Sequence, residues 1–178
     1  MRDQHHHHHH PAIVVGTDGS PTARAAVRCA AIASRRSGMP LHIVHAYSRV
    51  RSDQERMEAL QAPCDIQYRV GPREEAWALL DEEVAGLADL GIVVQEHAVR
   101  DSIPRALCRI GEAAAARVIV IGNQPTGGFF SPLKRLRHWA PCEVQVVDTD
   151  DFRGGRRDPL ALAEDEALSA FPRSVLAV

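Results

Sequence analysis

The residue with the clearest capacity for chemistry is Asp18. It stands in Ala12-Ile-Val-Val-Gly-Thr-Asp-Gly-Ser20, where an apolar run stops at a glycine-flanked carboxylate and a helix start follows. Such a run reads as a buried strand, and α/β proteins seat their ligands beyond the carboxyl ends of such strands. Asp18 has two readings: it contacts a ligand, or it accepts N–H bonds from its own Gly-Ser turn as an Asx turn. The other reactive residue types are dispersed. Residues 1–10, with six consecutive histidines, read as an expression tag and are set aside. The histidines left are His42, His45, His97 and His138. His42 and His45 are three residues apart on one strand, so they face opposite sides of a sheet and cannot share a metal from it. His97 reads as structural. Cys29, Cys64, Cys108 and Cys142 lack the paired spacing of a zinc site or a disulfide framework and read as reduced, mostly buried thiols. No general base is paired with a nucleophile, so neither a catalytic residue nor a metal site is expected.

The elements that must position Asp18 follow in order. Ala12–Gly16 is too continuously apolar for an exposed edge and reads as a central parallel strand. Ser20 and Pro21 supply an N-cap and first helical residue, and the helix runs to Ser37, where Gly38 ends it and Pro40 prevents its resumption. Its stripe is Ala23, Ala26, Val27, Ala30 and Ala33, with Arg24, Arg28 and Arg35 on another face. Leu41–Tyr47 is a second strand. Residues 48–70 are charged and turn-rich, with a short helix expected over Asp53–Leu60. Pro72 begins a helix with Glu74 and Glu75 in its first turn, and Trp77, Leu80, Val84 and Leu87 mark the face toward the sheet. Ile92–Val99 is a third strand, and Asp101 or Ser102 caps the helix after it. Arg117–Ile121 is a β-branched fourth strand. A glycine-bearing loop, 122–130, leads to Ser131-Pro132 and a short basic helix, Leu133–Trp139. Cys142–Val147 is a fifth strand in which Val144 and Val146 alternate with Glu143 and Gln145, the pattern of an edge.

This order predicts an α/β doubly wound domain over residues 11–147. Residues 148–157 read as a polar linker. Asp158-Pro159 then starts a short helix whose stripe, Leu160, Ala163, Ala167 and Phe171, must dock on the parent domain or on another subunit. A composition of 45% hydrophobic and 25% charged residues is that of a globular domain, and a net charge of −2 gives no case for nucleic acid as a partner. No apolar run approaches the roughly 20 residues that span a bilayer, and no signal peptide is evident, so no membrane association and a cytoplasmic location are expected.

Four segments in this order, Val-Val-Gly-Thr-Asp-Gly-Ser, Leu-His-Ile-Val-His-Ala, Val-Ile-Val-Ile-Gly-Asn and Ala-Pro-Cys-Glu-Val-Gln-Val-Val, resemble a universal stress protein domain. The resemblance implies a five-stranded parallel sheet of order 3-2-1-4-5 and a homodimer through the last strand, here at Val144 and Val146; further protein partners are unspecified. It also implies ATP or another adenine nucleotide between strands one and four, with no metal beyond a nucleotide-bound Mg. Asp18 then meets the adenosine, the backbone near Ala46 reads the adenine edge, and a loop of the form Gly-x2-Gly-x9-Gly-Ser/Thr holds the phosphates. The sequence departs from that loop. Gly122 matches the first glycine and Asn123 follows it, but Pro125, which has no N–H, takes the second position. Phe130-Ser131 falls where the third glycine and its hydroxyl partner belong, after a shortened spacer. Gly127 and Gly128 offer a substitute anion-binding turn, and Ser131 is either a phosphate ligand or simply the N-cap of the next helix. Lys134, Arg135 and Arg137 either add positive charge there or form a solvated face. Two functions follow: a regulatory nucleotide-binding protein with a modified phosphate loop, or a dimeric interaction module that has lost the nucleotide. A hydrolase is the weakest third reading.

Overall fold

The computed structural model describes residues 11–47, 72–123, 132–155 and 157–176. The helix expected over Asp53–Leu60 lies outside them. The five strands are β1 (Ala12–Thr17), β2 (Leu41–Tyr47), β3 (Val94–Arg100), β4 (Ala116–Gly122) and β5 (Glu143–Val147). They form one sheet of order β3-β2-β1-β4-β5, every neighbouring pair parallel. β1 is central because it is apolar on both faces. Ile13 and Val15 enter one hydrophobic layer and Val14 the other, all fully buried. β5 is the edge strand its alternation predicts.

One face of the sheet carries α1 (Pro21–Ser37) and α2 (Pro72–Ala85). The other carries α3 (Ile103–Ala113), against which α4 (Pro132–Trp139) lies. The local rules hold for α1: the Ser20 hydroxyl accepts the Ala23 N–H, Pro21 opens the helix, and Gly38 closes it at φ +71°. One expected face is corrected, at Trp77. Arg28, placed off the apolar stripe, is nevertheless only 8% exposed, its guanidinium donating to both Asp89 carboxylate oxygens at 2.7 and 2.8 Å. Trp77 is 37% exposed, because α2 turns Ala76, Leu80 and Glu83 inward and leaves Trp77 about a quarter turn off that line. The strand expected from Ile92 begins at Val94, two residues later.

The C-terminal residues also differ from expectation. Asp150–Gly155, read as linker, is a 3₁₀ helix that buries Phe152. Asp158-Pro159 opens only a 3₁₀ turn, Pro159–Ala161, because Leu162 and Ala163 are extended and break the helix. Leu160 and Ala163 are therefore exposed, while Ala167 and Phe171 of the expected stripe face inward, joined by Leu162 and Val175. Helices α5 (Glu164–Ser169) and α6 (Arg173–Leu176) dock on α1, where Arg35 pairs with Glu164 at 2.5 Å. Cys29 lies beneath this layer, and burial, then the Glu166 charge, push its thiol up to about 12. Among the described residues no helix is long and apolar enough to cross a membrane.

His42 of β2 and His97 of β3 face each other, Nδ1 to Nε2 at 3.0 Å, rings stacked at 9°. Burial lowers the pKa of both, and the neighbouring His97 lowers that of His42 further. The folded state thus binds fewer protons than the unfolded chain below the ordinary value of 6.5. Their contribution is fully present above that pH and is lost as pH falls toward the lowered values. A His97→Gln variant is expected to show a shallower loss of stability between pH 7 and 5 in urea titrations. Parallel curves for parent and variant would contradict this.

Candidate functional site

Where the strand order reverses, between β1 and β4, the carboxyl ends of the strands open into a cleft of about 780 Å³, counted with its mouth. Val44, Leu107 and Ile121 make its apolar floor, and Leu133 and Leu136 of α4 make one wall. A cleft at this switch point, mostly apolar with a few polar groups, is the form that small-molecule sites take. Asp18, Ala46 and Gly122 all line it. Three residues named from widely separated segments therefore meet in one place.

The others are distributed differently. Asn123 turns toward the edge of the sheet: its N–H donates to the Val147 carbonyl at 2.9 Å and its side-chain amide to Asp150 Oδ1 at 3.3 Å. Gly127, Gly128 and Ser131 lie outside the described residues. Lys134, Arg135 and Arg137 are exposed on α4, the helix whose leucines wall the cleft. Val144 and Val146 are half-buried on β5, opposite Ile119 and Ile121 of β4. Among the described residues no group of three or more His, Cys, Asp or Glu side chains is placed to hold a metal.

Asp18 is exposed at the mouth of the cleft, and its Oδ1 accepts the Ser20 N–H at 3.0 Å. The Asx turn is therefore present, and a carboxylate has further lone pairs for a ligand hydroxyl. Gly19 stands at φ +77°, and a Cβ there would lie 2.8 Å from Leu79 Cδ1. The left-handed conformation favours glycine here, and any side chain would also have to displace the end of Leu79.

The group that holds this loop in place has no counterpart in the sequence reading. The Thr17 hydroxyl donates to Glu83 Oε1 at 2.9 Å and accepts the Gly19 N–H at 3.1 Å. Arg24 adds a bond from Nε to the Gly19 carbonyl at 3.1 Å and pairs with Glu82 at 2.9 Å. Glu83 is buried on the inward face of α2, three residues after Leu80 and four before Leu87. A carboxylate on an apolar stripe is itself a detectable signal, since such groups are buried only when partnered.

Burial is the main cause that raises the Glu83 pKa; the Thr17 bond and Arg24 oppose it, and the charges of Glu82 and Asp18 add to it. A carboxyl raised in the folded state binds more protons there than in the unfolded chain, so stability falls as pH rises from about 4.5 through the raised value. Glu83→Gln keeps the acceptor for Thr17 and removes the charge. The variant is expected to lose this pH-dependent component, so that its stability relative to the parent improves from pH 4.5 to pH 8. A difference that stays constant across that range would count against a buried carboxylate at Glu83.

The comparisons with known proteins agree with this fold. The model of the universal stress protein family matches residues 11–148. No curated protein matches the chain significantly. The fold is similar to that of a universal stress protein crystallised in complex with cAMP, at 22% identity and a TM-score of 0.60, covering 79% of this chain and 98% of that one. It is also similar to the universal stress protein of Archaeoglobus fulgidus in complex with dAMP, at 22% identity and a TM-score of 0.55, over 77% of this chain and 97% of that one. A universal stress protein family protein of Arabidopsis thaliana with AMP bound is a third, at 12% identity and a TM-score of 0.56, over 79% and 93%. With the five-stranded parallel sheet in the order the family requires, the chain belongs to the universal stress protein family.

Proposed function

We propose that this chain is a regulatory protein rather than an enzyme, acting in the cytoplasm as a homodimer through β5, and that it takes an adenine nucleotide into the β1/β4 cleft. The observation that carries the reading is the convergence of Asp18, Ala46 and Gly122 on one apolar cleft at the switch point of the sheet. The base lies against Val44 and Ala46, with the backbone at the end of β2 reading its edge, and Asp18 meets the ribose. Three proteins of this fold were crystallised with cAMP, dAMP and AMP, which supports an adenine ligand here. The loop after Gly122 has Pro125 in place of a glycine and Phe130 in place of another. It has fewer N–H donors for a phosphate chain, and each charge-assisted bond missing removes roughly 1.5–3 kcal/mol. A monophosphate is therefore the better ligand, ATP the weaker, and Mg enters only on the nucleotide.

One observation favours a second reading, a dimeric interaction module with no nucleotide. Gly122 has a structural reason to be glycine, because a Cβ there would lie 2.9 Å from the Thr22 carbonyl oxygen, and Asp18 already serves the turn. Calorimetric titration of tag-cleaved protein with AMP, cAMP and ATP separates the two. Binding is expected with AMP or cAMP tighter than ATP. No heat and no thermal shift at millimolar ligand would leave the interaction module as the function.

A further inference from the structure

The end of β4 is held from two sides. On one, Gly122 lies against the first turn of α1 at Thr22. On the other lie the first residues after β5. Thr149 is 1% exposed, and its Oγ1 would be 3.4 Å from a Cβ on Gly122. That hydroxyl has no hydrogen-bond partner among the described residues, and an unpaired buried hydroxyl marks a place that water or a ligand group completes. Next to it, Asn123 is tied to Val147 through its backbone and to Asp150 through its side chain.

These contacts run on without a break into the C-terminal extension. The Phe152 N–H donates to the Thr149 carbonyl at 3.1 Å, and the Phe152 ring is buried in the layer on α1. The Arg157 guanidinium stands 5.2 Å over that ring and makes paired bonds of 2.6 Å to Glu166 of α5. Ala167, Phe171 and Val175 then seat α5 and α6 on α1. α1 itself begins at the mouth of the cleft, where Thr22 and Ala23 line it. The extension therefore meets two of the elements that line the cleft, α1 and the end of β4.

We propose that residues 148–155 and 157–176 are a positioning element for the cleft: their docking on α1 holds Gly122 and Asn123 in place, and a docked extension and a nucleotide in the cleft stabilise one another. The second half rests on the nucleotide reading above; the first does not. If the ligand binds the docked form more tightly by some factor, linkage requires that it favour docking by that factor, and loosening the extension weakens the ligand by at most as much.

The experiment uses the full tag-cleaved chain and Phe152→Ala, with Leu80→Ala as a control that makes a hole under α2 instead. Hydrogen exchange without ligand is expected to quicken about tenfold in the peptide spanning Ile121–Asn123 in Phe152→Ala, and less in Leu80→Ala. The affinity for AMP is expected to fall about tenfold in Phe152→Ala only. Should Phe152→Ala fail to fold, Asp150→Ala, an exposed substitution, tests the Asn123 tie with the same two readouts. Equal exchange at Ile121–Asn123 in variant and parent, or an equal rise in Leu80→Ala, overturns the positioning role. Faster exchange with unchanged AMP affinity overturns the coupling. A parent that binds no AMP refutes the nucleotide reading and the coupling together, while exchange still decides the positioning role.

Discussion

A Leu107→Ala variant is expected to lose about 2–5 kcal/mol of stability, the range for truncating a buried leucine in a core that collapses only partly. For a chain of this size that is a fall in Tm of about 4–20 °C. Leu107 is 1% exposed and makes the floor of the cleft beneath Gly16, on the α3 side of the sheet. Its loss therefore acts twice. It leaves a hole in the smaller of the two hydrophobic layers, and, on the nucleotide reading proposed above, it removes part of the surface on which a flat base would rest. Affinity for AMP is expected to drop about tenfold, equivalent to roughly 1.4 kcal/mol. Leu80→Ala is the comparison that separates the two effects. Leu80 is fully buried in the other layer and does not line the cleft, so its truncation is expected to cost similar stability and leave AMP binding intact. Thermal melts and titrations on both variants decide it; equal affinities in the two would remove Leu107 from the site.

Gly122→Val is the second substitution with a large expected effect. The first added carbon alone would approach the Thr22 carbonyl oxygen to 2.9 Å, and the valine methyls add to that clash. Both neighbours are backbone, one in the end of a strand and one in the first turn of α1, so neither yields as a flexible side chain would. Overpacking of this kind costs about 1–3 kcal/mol. It also pushes apart the two elements that frame the cleft, so AMP binding is expected to be lost at concentrations where the parent saturates. Gly122→Ala should show a smaller form of both effects. A Gly122→Val protein with parental Tm would mean that β4 and α1 are not in contact there.

Much of this was legible from residue types alone. A run apolar on both faces belongs inside a sheet, so β1 could be read directly as a central strand, while the order of its neighbours came through the family resemblance. Ser20-Pro21 and Gly38 marked the ends of α1 because capping and left-handed backbone are local chemistry. The convergence of Asp18, Ala46 and Gly122 was legible for a different reason, through the family pattern, since nothing local says that residues a hundred positions apart share a cleft. What stayed hidden depends on partners distant in the chain. Arg28 looks like a surface arginine until Asp89 is found beside it. Ala25, Cys29 and Ile32 form a second buried side of α1, but small residues suit exposed and buried helix surfaces alike, so the stripe revealed only one of the two. The burial of Phe152 was masked by the charges around it. Glu83 was readable in principle, as a carboxylate between two inward leucines, but Thr17 had to be placed in space before its partner was apparent.

The covering of α1 also has a consequence for the order in which the molecule can be completed. α1 is made long before the residues that cover it: among the described residues, one of its long sides is closed by residues between Phe152 and Val175. Arg35 and Glu164, which meet across that seam, are 129 positions apart. A nascent chain therefore carries this alanine-rich flank of α1 uncovered until the segment up to Val175 has been made. Contacts of such long sequence separation form late and slowly. Until residues Phe152 to Val175 have emerged and docked, this flank of α1 stays open to solvent.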